Sequence, residues 1–237
     1  MKVSKAQAAE NREGIVDAAA RLYREKGLEG VGVAEITRDA GLTHGGLYRH
    51  FASKDALARE ACLRAFDWTI TPLEGLDAAA ADDAPAARLR ALVHGYLSAN
   101  HRDHPGEGCP AAALATDAAR AGPEMSEAFA QGVERNIQRF MEVVPGDGPA
   151  KRAQTIVTLS SMVGALVLAR ATAAGNPALS EEILATLRAQ LAPQVGEWQV
   201  SRRRWALKVN GWRRWPPLHP RKRIATGLNP RFPSLNR

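Results

Sequence analysis

The sequence predicts an all-α fold. Apolar residues recur at helical spacing along most of the chain, as at Ile15, Ala18, Ala19, Leu22 and Tyr23, a stripe that places one face of a helix against a core. The apolar–polar alternation of a half-buried strand is nowhere sustained. Helix stop signals, mostly Gly or Gly-Pro, fall between the stripes. The chain has 237 residues, 45% apolar and 24% charged, which is ordinary globular composition and excludes collagen-like, mucin-like and fully disordered classes. Two cysteines, Cys62 and Cys109, are too few for a disulfide scaffold and fit a reducing compartment. No apolar stretch follows the polar segment Met1 to Arg12, so no signal peptide is expected. The expected location is the cytoplasm.

The elements follow in order. The first helix carries the Ile15 stripe and stops at Gly27. A short helix is expected from about Val33 to Ala40, closed by Gly41, and another from His44 to His50 with Thr43 as N-cap. Ser53 caps a fourth, with Asp55 in its first turn, expected to end near Ile70 ahead of Pro72. Asp77 to Pro85 reads as a loop. Leu89, Leu92, Val93, Tyr96 and Leu97 mark the next helix, and His101 to Pro110, with two Pro and two Gly, reads as a loop. A short helix over Ala111 to Arg120 ends at Gly122-Pro123. Phe129, Val133, Ile137, Phe140, Met141 and Val144 form the stripe of a longer one. Residues 151–174 hold the longest uncharged run, with Gln154, Thr155, Thr158, Ser160 and Ser161 in it; these polar groups point to a buried helix rather than a membrane span. After Gly175-Asn176-Pro177, the stripe Leu179, Ile183, Leu184, Leu187, Leu191 marks a last helix reaching towards Trp198. About nine helices result.

Charge divides the chain. Residues 200–237 hold eleven bases and no acid, leaving 21 bases against 25 acids in residues 1–199. The segment 1–66 is slightly basic, with 11 bases and 9 acids, and the segment 67–199 is acidic, with 10 and 16. A basic end beside an acidic body suggests one part that faces nucleic acid and one that faces something else.

Residues 33–50, VAEITRDAGLTHGGLYRH, carry the pattern of a helix-turn-helix. Val33, Ile36 and Ala40 pack inward, Gly41 turns the chain, and Leu42 and Leu47 close a small core. Thr43, His44, Gly45, Gly46, Tyr48, Arg49 and His50 are left as candidate DNA contacts, with Lys54 just beyond. Free N–H groups and Thr43 can hold a phosphate, and the two glycines permit close backbone approach. Tyr48 and His50 can donate to phosphate oxygens, and Arg49 can reach phosphate or guanine. By spacing alone the same residues would also suit an αα corner with a solvated face.

From Ile15 to Leu57 the chain resembles the DNA-binding domain of the TetR family of transcriptional repressors. The resemblance rests on the Gly27 stop, Val33-Ala34-Glu35-Ile36, Ala40-Gly41-Leu42, the block Leu47-Tyr48-Arg49-His50-Phe51, and Ser53-Lys54. It implies a homodimer on double-stranded, near-palindromic operator DNA, a small-molecule effector, and no membrane partner. The implied organisation is a DNA-binding domain over 1–53, an effector-binding and dimerisation domain over 54–199, and a basic tail over 200–237. One position departs: the family often has Ser or Thr where this chain has Gly32, which can cap the second helix only through its backbone.

For the effector pocket the resemblance points to helices between about 54 and 174, where Trp68, Phe129, Phe140 and Met162 are apolar candidates and Tyr96, Asn136 and Gln138 polar ones. Plain core packing is the alternative for each. Small residues Ser160, Ser161, Gly164 and Ala165, with the Leu/Ile stripe of the last helix, suit the four-helix dimer bundle that the resemblance implies. Cys109, in Gly108-Cys109-Pro110, sits at an expected helix start, where a thiolate is favoured, and some TetR-like regulators resemble this segment and sense electrophiles or oxidants there. The alternative is a small buried hydrophobe. His101, His104 and Cys109 share ligand chemistry but no strong zinc or copper spacing, so no metal or cofactor is indicated. Phosphate loops, dinucleotide fingerprints, Gly-x-Ser-x-Gly elbows and HExxH are absent from the sequence, so no enzyme is indicated.

Two other functions fit parts of the sequence. One is nonspecific nucleic-acid binding by the tail, where Trp205, Trp212 and Trp215 stand among the bases. The other is an all-α enzyme or small-molecule carrier. The abrupt change of composition after Val200 also fits an out-of-frame or read-through extension.

Overall fold

The computed structural model describes residues 4–79, 85–144 and 146–192. The described residues form nine α-helices and two 3₁₀ segments, without strands, as the sequence predicts. The helices are α1 (Lys5–Lys26), α2 (Val33–Asp39), α3 (Lys54–Ala79), α4 (Pro85–Tyr96), α5 (Ala99–Asp103), α6 (Pro110–Arg120), α7 (Pro123–Met141), α8 (Gly148–Thr172) and α9 (Pro177–Leu191).

Local chemistry sets most boundaries. The Ser4 hydroxyl accepts from the Gln7 N–H at 3.1 Å to start α1. Gly27, at φ 76°, ends it and donates to the Tyr23 carbonyl at 2.8 Å. The Ser53 hydroxyl accepts from the Ala56 N–H at 3.0 Å and starts α3. Helices α6 to α9 all carry Pro in the first turn, where a missing N–H costs no hydrogen bond.

One continuous apolar core runs from Ile15 in α1 through Leu57, Phe66, Leu114 and Phe140 to Leu184 in α9. Helix α1 crosses α3 and is fixed there by polar ties: Arg64 donates to Asp17 at 2.8 Å and to Glu13, and Arg12 pairs with Glu60 and lies 4.7 Å from the centre of the Phe51 ring. Helix α7 runs against α3 at close range. A Cβ on Gly132 would fall 2.1–2.5 Å from the Phe66 ring, so only glycine lets the two backbones approach this far. Phe66 also packs edge-on against Phe129, with ring centres 5.5 Å apart.

Four expectations are corrected. Helix α3 continues through Pro72 to Ala79, because proline removes a single donor and the residues that follow, Leu-Glu-Gly-Leu-Asp-Ala-Ala, carry the helix on. Asp77 to Ala79 are therefore helical, and Pro85 is the first residue of α4 rather than loop. The segment His101 to Pro110 is not wholly loop either. His101 lies within the short helix α5, started by the Ser98 hydroxyl, which accepts from the His101 N–H at 3.1 Å. His44–Arg49 is a 3₁₀ segment, and the side chain of its N-cap, Thr43, makes no capping hydrogen bond. The last helix ends at Leu191, and its expected reach to Trp198 and the tail over 200–237 lie outside the described residues.

Helix α8 is long and apolar enough to cross a membrane by length and composition. It packs along α9 and α7, with Thr155, Leu159, Met162, Leu166 and Ala169 buried inward. Its opposite face exposes Ile156, Val157, Val167 and Leu168, and α9 adds Leu179.

Candidate nucleic-acid interface and the buried polar site behind it

The expected inner face of residues 33–50 is observed. Ile36 and Leu47 are fully buried, and Val33, Ala40 and Leu42 pack partly buried against them. Gly41 adopts φ 73°, a conformation that favours glycine, and turns the chain between α2 and the 3₁₀ segment. Gly32 starts α2 through its backbone alone: its carbonyl accepts from the Glu35 and Ile36 N–H groups at 3.0 and 3.2 Å.

The residues expected to contact DNA differ in exposure. Tyr48 is 58% exposed, an unusual position for a large aromatic ring, and Arg49 and Thr43 are exposed. His50, Gly46 and Lys54 are half-buried. His44 and Gly45 belong to the 3₁₀ backbone, and their side-chain environments lie outside the described residues. The tighter 3₁₀ winding sets successive side chains around three edges rather than on one stripe. Tyr48 and Arg49 therefore leave the segment in different directions, while Leu47 between Gly46 and Tyr48 anchors it. This arrangement offers phosphate and base-edge donors over a rigid base.

The pocket candidates differ in burial. Met162 and Phe140 are buried in the core, Tyr96 is buried beside α5, and Phe129 is partly buried against Phe66. The Trp68 side chain lies outside the described residues. Gln138 is exposed and donates to Glu134 at 2.7 Å. Asn136 is different. It is 1% exposed, and neither atom of its amide has a hydrogen-bond partner. A buried, unanswered amide costs about 1–3 kcal/mol. It lies on the α7 face between Gly132 and Phe140.

Cys109 caps α6 as expected, but it is 1% exposed. Its N–H donates to His101 Nε2 at 2.9 Å, so Nε2 carries no proton. The proton is on Nδ1, which donates to the Tyr96 carbonyl at 2.7 Å. Both ring nitrogens are thus used by the backbone, and burial pushes the His101 pKa down to about 3. His104 is exposed and turns back to the Asn100 carbonyl at 2.9 Å, so the three ligand-type residues do not converge. The Tyr96 ring stands edge-on to His101, with centres 4.6 Å apart, and its buried hydroxyl lies by the Cys109 thiol.

Two arginines that carry no motif in the sequence complete this cluster. Arg24, 3% exposed, comes from α1 and donates to the Ala20 carbonyl at 3.0 Å and the Gly108 carbonyl at 2.9 Å. Arg170, from α8, donates to the His101 and Arg102 carbonyls at 2.7 and 3.1 Å. Burial lowers the pKa of both, to about 9 for Arg24. Arg24 reads in sequence as an ordinary last-turn cation, and only its place on the buried side of the Ile15 stripe hinted otherwise.

Comparison with known proteins matches residues 15–61 to the family described as bacterial regulatory proteins, tetR family. Residues 15–61 are thus similar to the N-terminal domain of that family. It is 46% identical over 54 residues to the A-factor receptor protein of Streptomyces griseus, a stretch covering 23% of this chain and 20% of that protein. It is 30% identical over 93 residues to the HTH-type transcriptional repressor KstR2 of Mycobacterium tuberculosis, covering 39% of this chain and 46% of that one. The matched stretches thus span less than half the length of these relatives. The fold is shared further: the reduced form of NemR from E. coli superposes with a TM-score of 0.64 at 20% identity, over 78% of this chain and 99% of that one.

Proposed function

We propose that the chain is a ligand-responsive, dimeric, DNA-binding transcriptional regulator, a repressor released from its operator by a small molecule. The observation that carries this reading is the exposed pair Tyr48 and Arg49 on a 3₁₀ segment pinned by fully buried Leu47. The residues 1–53 read DNA with Thr43, His44, Gly45, Gly46, Tyr48, Arg49, His50 and Lys54. The residues 54–199 bind effector and dimerise, and the protein acts in the cytoplasm. Exposed Ile156, Val157, Val167, Leu168 and Leu179 make an apolar face on α8 and α9, which a second copy would cover. Asn136 supplies the polar anchor for an effector that otherwise meets apolar surface, since its amide offers one donor and one acceptor side with neither used. The burial of Cys109 supports its packed role over thiol sensing. An effector would favour a conformation whose two reading segments no longer match one turn of DNA, about 34–36 Å.

The test is binding of the full chain to DNA flanking its own coding region, with excess unrelated competitor. Binding that resists competitor and falls about 10-fold or more in Tyr48→Ala is expected. Equal affinity for all DNA, unchanged by Tyr48→Ala, would favour nonspecific binding by the basic segment 200–237.

A further inference from the structure

The segment 96–109 is held from two sides. On one side α1 grips it. Arg24 reaches the Gly108 carbonyl, and Gly106 lies so close to α1 that a Cβ there would fall 2.4–2.9 Å from the Glu25 side chain. On the other side α8 and α9 grip it. Arg170 holds the carbonyls of His101 and Arg102, while Arg102 donates to the Ser180 hydroxyl at 3.2 Å, which itself donates to the Ala169 carbonyl at 2.7 Å. His101 joins the two sides, because its ring binds the Cys109 N–H and the Tyr96 carbonyl. A chain of hydrogen bonds therefore runs from α1, which is tied to α2 by the Arg21–Asp39 and Lys26–Glu35 ion pairs, to the helices that carry the exposed apolar face.

The packing leaves this chain little slack. A Cβ on Gly108 would fall 2.6 Å from the His101 ring and 2.8 Å from the Arg170 guanidinium. Any shift of the 101–109 backbone moves the Gly108 carbonyl and, with it, the acceptor for Arg24. Arg24 cannot absorb that shift alone, since its Nε is already committed to the Ala20 carbonyl within α1. Arginine suits the position because its planar fork holds two acceptors in fixed geometry.

We propose that Arg24 is the positioning residue that transmits the state of segment 96–109 to α1, and so sets the orientation of the DNA-reading residues 33–50. The inference rests on the reading of 33–50 as the DNA-binding part. The two ends of the wire are then distinct: an effector or a change at the dimer face acts on His101, Arg102 and Arg170, and Arg24 delivers the change to α1.

The test is hydrogen–deuterium exchange on the full chain, comparing wild type, Arg24→Met, Gly108→Ala, the double variant, Arg24→Lys and Gly106→Ala. Each of Arg24→Met and Gly108→Ala is expected to speed exchange in residues 33–50 about 10-fold. The double variant should exceed neither single one, because both cut the same link. Arg24→Lys, able to reach one carbonyl but not two, should fall between. Gly106→Ala should change exchange less than about twofold, because the Glu25 side chain can swing away. Additive effects of Arg24→Met and Gly108→Ala, or equal acceleration across α7 to α9, would overturn the proposal by showing general destabilisation. If Gly108→Ala does not fold, unchanged exchange of residues 33–50 in Arg24→Met overturns it alone. No DNA enters these measurements, so failure of the DNA-binding reading and failure of the coupling are told apart.

Discussion

Residues 33–54 and residues 96–109 are both compact, glycine-containing and central to the account, yet they are built in opposite ways. The first is local. Its turn glycine and exposed donors lie within 22 consecutive residues, from Val33 to Lys54, and its apolar side chains extend the core that α1 begins. The second is a meeting place. Its hydrogen bonds join α1, α4, α5, the start of α6, α8 and α9, and Arg24 and Gly108 are 84 residues apart in sequence. A site that one segment builds keeps its meaning when the rest of the fold changes. A site that six elements build depends on all of them, which suits an element that reports on the whole.

That contrast can be broken by experiment. The largest effect belongs to the local segment. Leu47 is fully buried, and Leu47→Ala should cost about 2–5 kcal/mol, read as a fall in denaturation midpoint at unchanged slope. A loss under about 1 kcal/mol would mean that the segment is not anchored as described.

The next effect belongs to the assembled site. The folded His101 pKa is about 3, against an ordinary 6.5. Below pH 6.5 the unfolded chain takes up a proton that the folded chain refuses, so stability is full above that pH and falls as pH drops towards 3. The slope is up to about 1.4 kcal/mol per pH unit. Melting curves at pH 7.5 and 5.5 should therefore differ, and His101→Gln should lessen the difference. An equal difference in both proteins would place the acid sensitivity elsewhere.

Asn136→Leu sharpens the comparison within the larger domain. Removing an unanswered buried amide should raise stability by about 1–2 kcal/mol while abolishing any effector response. Lower stability would show that the amide is satisfied in solution. The smallest effect concerns two N-caps. Ser53→Ala should cost about 1 kcal/mol, because Ser53 holds the Ala56 N–H. Thr43→Ala should cost only a few tenths, because its side chain caps nothing. Equal costs would return Thr43 to the capping role that its position suggests.

The legibility of the sequence follows the same division. The all-α class, the Gly27 and Gly41 stops, the inward set around Ile36 and Leu47 and the outward Tyr48 and Arg49 could be read because each rests on neighbours a few residues away. The 3₁₀ winding of His44–Arg49 could not, since α and 3₁₀ turns share their cap and apolar signals over so short a run. Pro72 misled because proline removes a single donor, a weak stop signal when the residues after it carry the helix on. His101 drew notice for its ligand chemistry, but its partners are backbone groups, which carry no sequence signature. Arg24 and Arg170 stayed hidden for the same reason, as both donate to carbonyls.

The most direct test of the central claim is a footprint of the full chain on the DNA it selects from beside its own coding region. Two protected tracts about 10 base pairs apart, centre to centre, related by an approximate two-fold and both lost in Tyr48→Ala, are the predicted result. Uniform protection along the fragment, or the same two tracts in Tyr48→Ala, would contradict the assignment of residues 33–50 as the DNA-reading element.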